Sequence, residues 1–343
     1  MQENKNCLRF QDYGSSIASG GGHTIKSIHN NKYNTKYGDI ITFENIYKAW
    51  NKFKKGKSNR VDVNGFVLRL TDDLLDIYND LKSKSYNHSE YQEFIIIETK
   101  KRMIHKASVR DRVVHHLLYD SLYTYFDKKF IYDSYSCRKN KGVHKALERY
   151  KHFSRKVSQN YTKQVYVLKF DIQKCFASID YIILKNILEK YILCKDILNL
   201  LFKIIDSHKI GIPLGNLTSQ LFINIYLHEL DFYCKHTLKL KYYIRYADDI
   251  IIFLENENKA KEIMDNISLF CNTNLKLNIH KVEVKTIYSG VDFLGWVHFP
   301  RYRVLRKVTR VKMFRNINEN NLKSYIGLLK WGNAYGIAKK SIL

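Results

Sequence analysis

Apolar positions recur at helical spacing from Phe43 (Ile46, Ala49, Trp50, Phe53), again after Thr71 in LLDIYNDL, and over Val109–Tyr125, and they predict three helices. Asp72 and Asp73, directly behind Thr71, read as the charged first turn of a capped surface helix. Tyr91–His105 alternates and predicts a hairpin whose turn is basic at Lys100, Lys101 and Arg102. Val165–Phe170 reads as a short strand ending on Asp171, and Asp180 as the N-cap of the helix that follows. Gly211–Gln220, GIPLGNLTSQ, is a glycine-bearing loop that opens a long helix. Along that helix Asn216, Gln220, Asn224 and His228 form one polar stripe, which costs burial unless it lines a cleft. Tyr242–Tyr246 and Ile250–Leu254 predict the two buried strands of a hairpin, and Asn258–Leu275 a further helix before LNIHKVEV and VDFLGW. The tail from Pro300 returns to helical phasing, while residues 1–40 are polar and read as a loosely held arm.

This pattern leaves one costly feature, the adjacent Asp248 and Asp249 in the turn between the two buried strands. Like charges held together at low dielectric either take up a proton or bind a cation. Arg245 is the basic neighbour that the sequence offers them. A solvated turn and a cation site are both open readings of this stretch alone. His115 and His116 are adjacent on a helix, cannot face one ligand together, and read as structural.

Charge adds a class of partner. The 58 Lys and Arg against 33 Asp and Glu give +25 and a pI near 9.6, which favours a polyanion, and 26 Tyr with 18 Phe supply stacking surfaces. The basic residues gather at 48–60 and at 138–163 (nine against Glu148), which read equally as solvated faces, and in the tail (eleven against Glu319), a usually exposed face that in combination with the rest suits gripping a duplex. The six cysteines are far apart without a C-x-x-C, so they suggest neither a disulfide framework nor a zinc ribbon and read as buried thiols in a reducing compartment. No signal pattern opens the chain, and no apolar run approaches the roughly 18 residues of a membrane span. The expectation is a cytoplasmic chain.

The order of these pieces resembles a reverse transcriptase, from about Tyr91 to Trp296. Asp171, then the Gly215 loop, then Tyr246-Ala247-Asp248-Asp249 are similar to the family's successive motifs, with Lys281 and Phe293-Leu294-Gly295-Trp296 after them. The resemblance implies an α+β right-hand polymerase whose antiparallel palm sheet is backed by helices. It implies an arm at 1–40, fingers at 41–164 with some interleaving into the palm, a palm at 165–299 and a thumb at 300–343. Asp171, Asp248 and Asp249 would be catalytic and hold two Mg²⁺ ions, with Mn²⁺ able to substitute. Lys100 and Arg102 would contact the incoming dNTP, Phe176 would exclude ribonucleotides, and Lys281 could donate a proton to pyrophosphate. Leu214 and Gln220 would lie at the nucleotide, and Phe293, Leu294, Gly295 and Trp296 would form the primer grip.

Within the family, G-x-x-x-S-Q at 215–220, RDRVVHH at 110–116 and SYSCRKNKGVHKAL at 134–147 are similar to the reverse transcriptases of diversity-generating retroelements. That resemblance implies a template-repeat RNA copied into adenine-mutagenised cDNA, and a basic pentameric accessory protein as partner. Leu214, where relatives place Gln, offers no hydrogen bond near the sugar, so pairing discrimination should fall. The expectation from the length is a chain without the maturase and endonuclease domains of many intron enzymes and without an RNase H segment after the tail. The competing readings are a phage-defence reverse transcriptase and a catalytically silent RNA-binding protein on the same fold; the intact aspartates argue against the second.

Overall fold

The computed structural model describes residues 32–97 and 101–332. Lys100 and most of the arm lie outside them. The described chain opens with α1 (Tyr37–Ile40), α2 (Phe43–Lys54), α3 (Val61–Leu68) and α4 (Leu70–Lys82). A two-stranded ribbon of β1 (Gln92–Ile97) and β2 (Lys101–Lys106) precedes α5 (Val109–Lys129) and α6 (Val143–Val157). The central antiparallel sheet has the order β4-β5-β3-β6, from β3 (Tyr166–Ile172), β4 (Tyr243–Tyr246), β5 (Asp249–Leu254) and β6 (Ile279–Thr286). Its crossings carry α7 (Tyr181–Tyr191), α8 (Lys195–Asp206), α9 (Leu217–Phe232) and α10 (Asn258–Leu275). A smaller antiparallel sheet of β7 (Val291–Phe293), β8 (Trp296–His298) and β9 (Arg303–Leu305) leads into α11 (Lys307–Asn316) and α12 (Glu319–Leu329).

Local signals explain most helix starts. The Thr42 hydroxyl accepts from Asn45 N at 3.2 Å to cap α2, and Ser108 and Asp180 cap α5 and α7 in the same way. The expected cap at Thr71 is displaced: α3 ends at Leu68, Arg69 caps both it and α4, and Thr71 falls inside the first turn. Residues 33–40 are also not loose. Tyr33 bridges to Ile192, and the Tyr37 hydroxyl donates to the Leu81 carbonyl at 2.6 Å. Cys175, Cys234 and Cys271 are buried thiols as expected, whereas Cys137 is exposed. Among the described residues no helix is long and apolar enough to cross a membrane.

Strand alternation divides the central sheet into two faces. Leu168, Phe170 and Ile172 of β3 join Tyr243, Ile250 and Ile252 in the main core with α5, α7, α8, α9 and α10. Val167, Ile244, Ile251 and Phe253 point the other way, into a second cluster with Leu147, Tyr150 and Phe153 of α6 and with Phe293 and Trp296. The outer edge of β4 is covered rather than open. Arg245 N donates to the Asp133 carbonyl at 2.9 Å and Tyr135 N to the Arg245 carbonyl at 3.0 Å, while Arg149 pins Asp133 at 2.7 Å.

The polar stripe of α9 does not line a cleft. Asn216, Asn224 and His228 are buried, and two of them are tied from inside: Asn216 Nδ2 donates to the His105 carbonyl, and Asn224 Nδ2 to that of Ser136, each at 3.1 Å. The same helix supplies Asp231, fully buried, to the fully buried Arg245. Arg245 Nε and Nη2 reach Asp231 at 2.8 and 2.7 Å, Nη1 reaches Asn224 Oδ1 at 3.2 Å, and the Tyr243 hydroxyl donates to Asp231 at 2.7 Å. Removing one partner of such a pair strands the other charge. Asp231→Ala should therefore lower the unfolding free energy by about 3–5 kcal/mol in urea titration. Asp231→Leu with Arg245→Met should recover most of that loss.

Candidate active site

The site stands where the second face of the sheet runs out of apolar cover. On β3, Val167, Lys169 and Asp171 share that face; on β5 it carries Phe253, Ile251 and Asp249. The β3–β5 register sets Asp171 directly opposite Asp249, and the β4–β5 register sets Tyr246 opposite Asp249 as well. Ala247 and Asp248 form the turn, with Ala247 in the left-handed region at φ 53°. Its carbonyl accepts from Arg245 Nη1 at 3.3 Å, so the buried arginine holds the turn from beneath. Asp248 is exposed at the tip, and Asp171 and Asp249 are half-buried.

Burial, a hydrogen bond with Asp171 and the charges of Asp171 and Asp248 push the Asp249 carboxyl up to about 7, against the opposing pull of Lys169. The positive charge near this pair is not that of Arg245. Alternation turns Arg245 to the helix-covered face, and Lys169 and Lys281 stand close instead: Lys169 Nζ is 3.7 Å from Asp249 Oδ1, and Lys281 Nζ is 3.8 Å from Asp171 Oδ2. A β-bulge places Lys281. Lys169 pairs with Glu283 but Asp171 with His280, so Phe170 faces both Lys281 and Val282, and Lys281 takes φ 51°.

The glycine loop ties the turn at Phe176, just past β3, to the ribbon. Ile212 N donates to the Phe176 carbonyl at 2.8 Å, and a Cβ on Gly211, at φ +59°, would lie 2.3 Å from that oxygen. Further on, His105 N donates to the Leu214 carbonyl at 3.1 Å. Phe176 is half-buried against the main core, and Gln220, also half-buried, lies in the first turn of α9. Arg102 is exposed on β2 opposite Ile96, and Lys100 lies outside the described residues. Leu294 and Gly295 form a two-residue hairpin turn with φ 50° and 86°, while Phe293 and Trp296 are buried beneath it.

His115 is buried and its Nε2 lies 3.2 Å from that of His88; burial lowers its pKa to about 3, so it is a neutral packing group. Lys169 was legible in principle, being two residues before Asp171 on an alternating strand. Among the described residues no group of three or more His, Cys, Asp or Glu stands gathered for a metal. Asp171 and Asp249 nevertheless fit a hard divalent cation that keeps water or phosphate ligands, since they already share the kind of contact in which a cation replaces a proton.

A family model described as "Reverse transcriptase (RNA-dependent DNA polymerase)" matches residues 84–298. The chain is similar to a putative COX1/OXI3 intron 2 protein of Saccharomyces cerevisiae, 24% identical over 345 residues that cover 78% of this chain and 39% of that protein. It is also similar to maturase-like protein 1 of Euglena longa, 31% identical over 131 residues, 35% of this chain and 27% of that one. The chain thus spans well under half the length of these curated relatives. Among solved structures, an apo telomerase from Candida tropicalis aligns with a TM-score of 0.49 at 14% identity, covering 66% of this chain and 58% of that one.

An acid whose folded pKa is raised stabilises the fold while protonated. For Asp249 the contribution is complete below its ordinary 3.8 and is lost as the pH climbs through about 7. In buffer free of divalent cations, wild type should lose stability relative to Asp249→Asn between those two pH values. Unfolding titrations at several pH values read the difference, and a flat one removes the shared-proton account.

Proposed function

This chain belongs to the reverse transcriptase (RNA-dependent DNA polymerase) family and has its right-hand polymerase fold, and from that premise we propose that it synthesises DNA on an RNA template. The observation that carries the proposal is the register pairing of Asp171 with Asp249 beside the Asp248 turn, at the open end of the sheet. Asp171, Asp248 and Asp249 would hold Mg²⁺, which when bound acidifies a primer hydroxyl and neutralises the leaving pyrophosphate. Lys281, aimed by its bulge, is poised to donate a proton to pyrophosphate. Arg102, with Lys100, binds the triphosphate; Phe176 excludes a ribose 2′-hydroxyl; the Leu294–Gly295 tip supports the primer. The net charge of +25 suits template, primer and product alike. Residues 41–164, 165–299 and 300–343 are assigned to fingers, palm and thumb.

Labelled dNTP incorporation on a primed RNA with Mg²⁺ tests this. Asp248→Asn should bring incorporation to background, and Lys281→Ala should slow it about 100-fold. Equal signals from wild type and Asp248→Asn would end the enzyme reading.

A finer reading, a diversity-generating retroelement polymerase with a template-repeat RNA and a pentameric accessory protein, is favoured by Leu214, Ser219 and Gln220. The names of the relatives, an intron protein and a maturase-like protein, favour an intron-encoded enzyme instead. Leu214 allows a clean test, because its backbone is pinned to His105 whatever its side chain. Leu214→Gln should reduce misincorporation opposite template adenine in sequenced cDNA. An unchanged error frequency there would count against the mutagenic reading.

A further inference from the structure

A line of polar contacts runs from the carboxylate pair to the start of α11. Lys169 Nζ, 3.7 Å from Asp249 Oδ1, also donates to the Asp292 carbonyl at 2.8 Å. The Asp292 carboxylate takes an ion pair from Arg306 Nη2, and Arg306 N donates to the Gly295 carbonyl at 3.0 Å. The Lys169 side chain is only 15% exposed. An ammonium placed there must be matched by acceptors, and its long stem loses rotamer freedom to stay in place. Its acceptors come from two different sheets, so the lysine fixes one against the other. Asp292 is the middle residue of β7, and the buried Phe293 follows it, so whatever holds Asp292 also holds the Leu294–Gly295 turn.

We propose that Lys169, Asp292 and Arg306 form a strut that sets the separation between the carboxylate pair and the Leu294–Gly295 turn, and so places the 3′ end of a nucleic-acid primer against the reacting groups. The proposal rests on the polymerase reading. Lys169 is then a positioning residue: it touches no substrate and acts through Asp249 and Asp292. A lysine that merely neutralised Asp249 would have no need of Arg306. The strut requires both ends, since Arg306 fixes the side chain of Asp292 and the carbonyl of Gly295 while Lys169 fixes the backbone between.

The test uses the full chain with an RNA template and a DNA primer ending in 2-aminopurine, whose fluorescence reports how firmly the terminal base is held without metal or dNTP. Lys169→Met and Arg306→Met should each brighten the terminal base and lower kcat about tenfold, with the KM for dNTP near that of wild type. The double variant should be no worse than either single one, because both break the same line. Lys169→Arg should restore much of the quench, which a merely misfolded site would not allow. Wild-type quenching in both Met variants, or losses that multiply in the double variant, would overturn the strut. A wild type that quenches the terminal base but extends nothing, with the quench lost in Lys169→Met, would overturn the polymerase reading and keep the strut.

Discussion

The buried pair of Arg245 and Asp231 is the constraint on which the rest of the structure depends. A guanidinium cannot be neutralised by losing a proton, so an arginine with no exposure has to be met by a carboxylate and further acceptors. Here α9 meets it twice, through Asn224 and, two turns on, Asp231, which share one face of the helix. That double contact locks the helix in register with β4, and the remaining reach of the guanidinium to the Ala247 carbonyl holds the aspartate turn. The same helix begins beside Asn216, which binds the root of the ribbon at His105. One buried charge therefore ties the carboxylates, the glycine loop and the ribbon to a single rigid element.

The carboxylate pair sits at the end of a face of the central sheet. Along β3 and β5 the second face begins apolar, under α6 and the smaller sheet, and ends polar at Asp171 and Asp249. Packing holds the strands rigid at one end so that two like charges can be kept opposite each other at the other. Burial and then the facing Asp171 raise the Asp249 pKa, and the bulge at Lys281 turns a cation toward the pair. Lys169 is the counterpart on the protein side, a fixed charge that offsets part of the repulsion and links this sheet to the next.

Much of this was legible in the chain. The hairpin around Ala247–Asp248, the helix Asn258–Leu275 and the Asp180 cap follow from periodicity and capping chemistry within a few residues. The misreadings share a cause. Thr71 looks like a cap until α3 is seen to end at Leu68, the polar stripe of α9 looks like a cleft lining until Asn216 and Asn224 are seen to be buried and held by backbone carbonyls and Arg245, and Arg245, the basic neighbour of the aspartates in sequence, is turned away from them by alternation.

Residue type and spacing determined which segments are strands or helices and which carboxylates come to the strand ends, because those properties are set by neighbours a few residues apart. Tertiary structure alone decided that Asp171 faces Asp249, that a bulge re-aims Lys281, and that Lys169 spans two sheets to Asp292. Each of these depends on register between segments tens of residues apart, where a shift of one residue turns every side chain to the other face and nothing local in the sequence records the choice.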